Sequence, residues 1–296
     1  MQYVITGSLG NISKPLTEKL VAAGHSVTVI SSKAEKSEQI EALGAKAAIG
    51  SVDDVAFLTK TFTGADAVYT MVPPNFAPSN WKDYIGGIGE NYASAIKASG
   101  VKNVVNLSSV GAHMQEGCGP VSGIYRVEKA LDALEGVNVR HLRAGFFYFN
   151  FLGNIGMIKN MGIIGANYGS GTKLNIVHPE DIAEAAAQEL INLSFKGKSH
   201  RYIISDEKTT HEIASILGKA IGKPDLPWVD FKDEDTLTGL VQAGLTEEVA
   251  KNYTEMGAAT RSGEMFSHYI QNRPAIFGSI KFEAFAPVFA DIYTKS

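Results

Sequence analysis

The sequence predicts an α/β fold, a doubly wound parallel sheet followed by a smaller C-terminal α+β lobe. Three observations carry this expectation. Short β-branched runs alternate with helical stretches of about 10–15 residues, the rhythm of βαβ units. The runs VTVI, AVYTMV and VVNL are apolar at successive positions, as strands covered on both faces require. The first strand opens directly onto a glycine-rich turn and then a helix, between Gly7 and Ser13.

Residues 2–6 read as the first strand and 11–23 as the helix after the turn. A second strand at 26–30 leads to a helix at 34–43, and a short strand at 46–49 to a helix at 55–62 that ends near Gly64. The strand at 67–71 is closed by Pro73-Pro74, which cannot continue a ladder. A long helix at 81–99 precedes the strand at 103–107, and a helix at 124–134 precedes the strand at 137–142. After Phe151 the rhythm changes. Glycine-rich segments from Gly153 to Gly171 lead to a helix at 179–193 and a strand at 201–204. A helix at 210–221 is ended by Gly222 and Pro224, and further helices follow. No Ser- or Pro-rich linker separates the halves. The expected division is a nucleotide-binding unit at 1–150 and a closely joined substrate lobe at 151–296.

A chain of 296 residues, 45% apolar and 20% charged, has ample material for a buried core. Its net charge of −4 points to neither nucleic acid nor an anionic membrane. Cys118 is the single cysteine, so no intramolecular disulfide forms, which suits a reducing compartment. The start MQYVITGSLGNIS lacks a basic region followed by an apolar one, and no apolar run approaches the ~20 residues of a membrane helix. A cytoplasmic protein with a small-molecule substrate is expected, as a monomer or a homodimer.

The turn Gly7-Ser8-Leu9-Gly10-Asn11-Ile12-Ser13 carries the first chemistry. Gly7 and Gly10 allow a tight strand-to-helix turn, and the first-turn N–H groups with the helix dipole suit a pyrophosphate. Thr6, Gly7, Leu9, Gly10, Asn11 and Ile12 are therefore expected at a Rossmann-type dinucleotide site. Ser13 stands where the usual pattern has a third glycine, and serine is small enough to keep the helix close. NAD sites place an acid about 20 residues on, at the end of the second strand. Here that strand ends in Ser31-Ser32-Lys33, with no acid until Glu35. Two hydroxyls and an ammonium suit a 2′-phosphate, so NADP(H) is preferred over NAD(H). The plain alternative is that Lys33 is a solvated loop charge.

Several segments resemble, in order, those of the NmrA-like branch of the atypical short-chain dehydrogenase/reductase superfamily. They are GSLGNIS, residues 64–68 with Pro73-Pro74, residues 100–105 with Leu107-Ser108-Ser109, residues 142–150, and the helix start VHPEDIA at 177–183. The resemblance covers residues 1 to about 222. It implies an NAD(P)H-dependent oxidoreductase similar to quinone oxidoreductases, with Val72, Pro73 and Pro74 beside the nicotinamide. Two positions depart from the branch. Ser51 stands where relatives often have Asp near the adenine, and Ala144 replaces the proline of an Arg-Pro-Gly segment.

Of eleven tyrosines only Tyr125 has a lysine four residues later, Lys129, on the same face of the expected helix. By the resemblance, Lys129 would bond the nicotinamide ribose, Tyr125 would exchange a proton, and Ser108 or Ser109 would orient the reacting oxygen. Phe146, Phe147, Tyr148 and Asn150 would wall a flat, apolar acceptor such as a quinone, or else form core at the lobe junction. Residues 156–171 read as a flap over the site or as simple turns. Seven scattered histidines give no metal-ligand pair, so no metal site is expected, and His178 reads as a structural residue at a helix entrance. Cys118 is either inert or a reactive thiol near the site, and KDEDT at 232–236 reads as an acidic surface loop. No Gly-x-Ser-x-Gly elbow supports a hydrolase. Two further functions stay open: a non-catalytic NADP(H)-sensing regulator, and a sugar-nucleotide epimerase or dehydratase.

Overall fold

The computed structural model describes residues 1–296. Its strands are β1 (Gln2–Ile5), β2 (Ser26–Ser31), β3 (Lys46–Ile49), β4 (Ala67–Thr70), β5 (Asn103–Ser109), β6 (Asn138–Ala144), β7 (Phe146–Phe147), β8 (Ile164–Ala166), β9 (Lys173–Val177), β10 (Lys198–Ile203), β11 (Asp206–Thr209) and β12 (Trp228–Asp230). Its helices are α1 (Ser13–Ala22), α2 (Ser37–Ala42), α3 (Val55–Phe62), α4 (Trp81–Ser99), α5 (Pro120–Asp132), α6 (Ile155–Met161), α7 (Pro179–Asn192), α8 (Thr210–Ala220), α9 (Asp233–Gln242), α10 (Glu247–Ser262), α11 (Ser267–Gln271) and α12 (Phe282–Lys295). None is long and apolar enough to cross a membrane.

Seven parallel strands form the central sheet in the order β10-β6-β5-β4-β1-β2-β3. The winding direction reverses between β1 and β4, the switch point where such sheets bind ligands at their carboxyl ends. One face is covered by α1 and α7, whose Leu16, Leu20, Ile182, Ala186 and Leu190 pack on Ile5, Val29 and Val105. On the other face α3, α4 and α5 bury Leu58, Phe62, Ile85, Tyr92, Ile96, Val127 and Leu131. Burial on both faces explains why these strands read as unbroken apolar runs.

The lobe beyond is built around the sheet β11-β9-β7 and the parallel pair β12-β8. Its own core holds Tyr148, Phe151, Ile213, Leu217, Phe282, Phe285 and Phe289, contributed by α8, α12 and the turns after β7. The cut expected at residue 150 does not follow the packing. β10 pairs in register with β6, and α7 belongs to the sheet's first face, so the chain returns to the first unit after entering the second.

Three other expectations need correction. The helix expected at 124–134 begins at Pro120, with proline in the first turn, where its missing N–H costs nothing. The segment 156–171 is not a flap, because Gly156 lies within α6 and Ile164 of β8 is fully buried. The residues 232–236 are not a loop but the start of α9, whose acidic first turn suits the helix dipole.

Candidate functional site

The glycine turn is set by two consecutive left-handed residues, Gly7 (φ 91°) and Ser8 (φ 54°). A Cβ on Gly7 would lie 2.5 Å from Ser13 Oγ, so only glycine fits. Ser13 in turn donates to the Thr6 carbonyl at 2.8 Å. A small hydroxyl thus replaces the third glycine and ties helix to strand. Thr6 Oγ1 accepts from the Met71 N–H at 2.9 Å, and the Tyr92 hydroxyl donates to the Met71 carbonyl at 2.7 Å. These bonds hold the turn at Val72, Pro73 and Pro74 beside the glycine loop. Ile12 is buried and Leu9 packs on the same core, while Gly10 and Asn11 are exposed. The start of α1 has no side-chain cap and no acidic residue in its first turn, so its positive end is free for a diphosphate.

At the end of β2, Ser31 is buried and its Oγ accepts from Ser8 Oγ at 2.9 Å and from the Lys33 N–H at 3.2 Å. Ser31 therefore fastens two loops together. Ser32 and Lys33 are exposed, and the first acid, Glu35, sits on the following single turn, Ala34–Lys36. Ser51 closes a turn on itself by donating to Asp53 at 2.7 Å. These residues fit an NADP(H) dinucleotide: a cradle that a Cβ would fill, an uncapped helix end, and a basic second loop without a facing carboxylate.

A cleft of about 210 Å³ opens at the carboxyl ends of β5 and β6. It lies two strand spacings, roughly 10 Å, from β1. Ser109 and Ala144, register partners on those strands, line it together with Phe146, Phe147 and Asn150. The second lobe adds Tyr168, Leu174 and Asn175, and α10 with the turn after it adds Tyr253, Met256, Thr260, Met265 and Phe266. No charged side chain lines the cleft. A Cβ on Gly145 would lie 2.4 Å from the Asn175 carbonyl, so this glycine lets β9 press against the sheet. Burial pushes the Tyr168 phenol up to about 12, and it raises Tyr253 as well. Both phenols stay protonated at neutral pH.

The sequence candidates separate around this cleft. Ser109 lines it, whereas Ser108 is buried beneath it and donates to Glu128 Oε1 at 2.5 Å. Arg143, the register partner of Ser108, grips the same carboxylate through Nε at 3.0 Å and Nη2 at 2.7 Å. Phe146, Phe147 and Asn150 line the cleft, but Tyr148 does not. Its ring is fully buried in the lobe core, and its hydroxyl donates to the Ile280 carbonyl at 2.8 Å. Tyr125 and Lys129 also lie outside the lining, to which α5 contributes Pro120 and Val121. The Lys129 ammonium sits 5.3 Å from the Tyr125 ring centroid. Helix rotation explains this: Glu128 turns inward to Arg143, which swings Lys129 about 100° round the helix.

Cys118 is buried and its thiol is pushed up to about 12 by that burial, which favours the inert reading. His178 caps α7, its Nδ1 accepting the Glu180 N–H at 3.2 Å. A larger groove of about 810 Å³ follows the outer edge of β10. Arg140 and Arg201 pair there with Glu189, Arg273 and Glu184 pair with Glu207 and Lys19 outside it, and the groove lies at a sheet edge four strands from β1. The residues that sequence reasoning missed are Val110, Pro120 and Val121 beside β5 and α5, and those of the second lobe and α10. Only α10 left a trace, with Tyr253, Met256 and Thr260 spaced as one helical stripe.

The profile of the NmrA-like family matches residues 2–271. The chain belongs to that family. Its sequence is 24% identical over 257 residues to an NAD(P)H azoreductase of Xenophilus azovorans, covering 86% of each chain. Its fold is that of an NADPH-dependent quinone oxidoreductase from Escherichia coli complexed with NADPH, with 20% identity and a TM-score of 0.78 over 99% of both chains. It is equally that of Citrobacter sp. triphenylmethane reductase complexed with NADP(H), with 21% identity and a TM-score of 0.79 over 97% of this chain and 99% of the other. In this NmrA-like chain the glycine loop and the aromatic cleft lie on the same edge of the sheet.

Proposed function

We propose that this protein is an NADPH-dependent oxidoreductase that reduces a planar, apolar acceptor, a quinone first among them. The observation that carries the reading is the uncharged aromatic cleft two strands from an open glycine loop. The names of the relatives, an azoreductase, a quinone oxidoreductase and a triphenylmethane reductase, support it. When bound, the dinucleotide supplies a hydride. A quinone takes that hydride and one proton and leaves as the hydroquinone. In this reading Gly7, Gly10 and the start of α1 hold the diphosphate, and Ser32 and Lys33 take the 2′-phosphate. Ser109 and the aromatic side chains stack the acceptor and exclude water. The protonated phenols of Tyr168 and Tyr253 offer hydrogen bonds to it.

The cleft lacks any cation to hold a sugar nucleotide's diphosphate, which disfavours an epimerase. A sensor without turnover gains some support from the position of Tyr125 and Lys129 outside the lining. NADPH oxidation followed by nicotinamide absorbance, with a quinone panel and a no-acceptor control, separates the two. Acceptor-dependent turnover faster with NADPH than with NADH is the expected result. Tight NADPH binding with no turnover on any acceptor means a sensor.

A further inference from the structure

The cleft contains a buried polar group that the protein leaves unsatisfied. Six buried side-chain polar atoms have no hydrogen-bond partner, and of these only Asn175 Nδ2 belongs to a residue lining the cleft. Asn175 is 5% exposed. Its neighbours on β9, Leu174 and Ile176, pack into the core of the second lobe, so strand alternation turns Asn175 to the other face of β9, and the side chain lines the cleft there, as Leu174 does from its own face. Of the other polar groups there, the Tyr168 and Tyr253 phenols are further donors, and the rest are engaged or solvated. Ser109 donates to the Val110 carbonyl at 2.8 Å and Thr260 to the Met256 carbonyl at 2.9 Å, while Asn150 is exposed.

Leaving an amide donor dry and unpaired opposes folding, and an apolar side chain of the same size would not carry that cost. A donor kept at such a cost in an apolar cleft is one whose partner arrives with a ligand. We infer that the Asn175 carboxamide is the positioning residue for the acceptor, donating a hydrogen bond to a carbonyl oxygen of a planar, uncharged substrate. This rests on the cleft being the acceptor site. It adds a selection rule: among flat molecules of one size, those with a carbonyl oxygen bind best.

The test compares 1,4-naphthoquinone with naphthalene, which has the same ring system and no oxygen. Both are titrated by tryptophan-fluorescence quenching into full-length protein saturated with NADP+, which cannot deliver hydride. Asn175→Leu is expected to weaken naphthoquinone binding about tenfold. It should leave naphthalene and NADPH affinities unchanged, and the Tm of the free protein unchanged or raised. Asn175→Val, which suits a strand, should behave alike if the leucine variant folds poorly. Equal naphthoquinone affinity in wild type and variants overturns the inference, as does a lowered Tm with both aromatic ligands weakened together. Because binding is read without turnover, the two readings fail separately. Asn175-dependent binding with no NADPH oxidation sinks the reductase and keeps the anchor. Turnover untouched by Asn175→Leu does the reverse.

Discussion

Glu128→Gln tests what holds the inner end of the cleft together. The Glu128 and Arg143 side chains are only 5% and 9% exposed, and their carboxylate–guanidinium pair is bidentate, with Ser108 as a third partner. Nearby Glu128 keeps the Arg143 guanidinium charged despite the burial that opposes it. The variant keeps the shape and removes the charge, leaving Arg143 buried without a counter-ion. Removing one partner of a buried pair costs about 3–5 kcal/mol, a large part of a typical stability of ~5–15 kcal/mol. With an unfolding entropy of about 0.6 kcal/mol/K for a chain of this length, the expected drop in Tm is about 5–8 °C. Differential scanning calorimetry reads it. Ser108 and Arg143 immediately precede the cleft residues Ser109 and Ala144 in the β5–β6 register, so KM for the acceptor should rise as well. The double variant Glu128→Leu with Arg143→Leu should recover much of the loss, because no charge is left unpaired. A Tm within 2 °C of wild type for Glu128→Gln, by a threshold of about 1 kcal/mol, would refute the reasoning. So would a double variant less stable than the single by the full cost of the second side chain.

Gly7→Ala places a methyl against Ser13 Oγ at a φ of 91°, so NADPH affinity should fall at least about tenfold, measured by fluorescence titration. Lys33→Glu should weaken NADPH about 10- to 100-fold, the worth of one charge-assisted hydrogen bond, and leave NADH nearly unchanged; equal losses for both would remove Lys33 from the 2′-phosphate site. Tyr125→Phe should keep turnover within about twofold, since the ring lies outside the cleft; a loss of two orders of magnitude, the usual effect of deleting a general acid, would restore its proton role. Burial first, then the Arg143 charge, and for His113 and His200 the His268 ring as well, hold these three histidines, His113, His200 and His268, below their ordinary value of 6.5. As pH falls through 6.5 the unfolded chain takes up protons that the folded chain refuses, so Tm should drop between pH 7 and 5, above the range of the carboxylates, and His268→Gln should flatten that slope.

The fold was legible because its signals are local. Each strand and the helix after it carry their own periodicity, and the glycine turn has a single backbone solution, seen in the φ of Gly7 and in the fit of Ser13 beneath it. Boundaries slipped where the signal was one residue. Pro120 starts α5 four residues before the apolar pattern does, and β7, β8 and β12 are too short to show any alternation. The place of β10 was not legible. Its sequence predicts a strand, but nothing in it says that the strand will cross back and pair with β6.

The cleft was half legible for the same reason. Ser109, Phe146, Phe147 and Asn150 follow directly from the ends of β5 and β6, where an α/β sheet binds its ligands. Tyr168, Asn175, Tyr253 and Met256 reach it only through the packing of the second lobe, which no short window of sequence encodes. The Tyr125–Lys129 spacing illustrates the limit most clearly. A separation of four residues establishes that two side chains share a helix face, but not which way that face points. What fixes the rotation of α5 is the pairing of Glu128 with Arg143, fifteen residues along the chain and on another element. Once that carboxylate is committed inward, Val121 on the same side meets the cleft and Lys129 cannot. In the function proposed above, the polar groups left to meet an acceptor come from Tyr168, Asn175 of β9 and Tyr253 of α10, all far along the chain from the glycine loop and the end of β2 that would hold the cofactor.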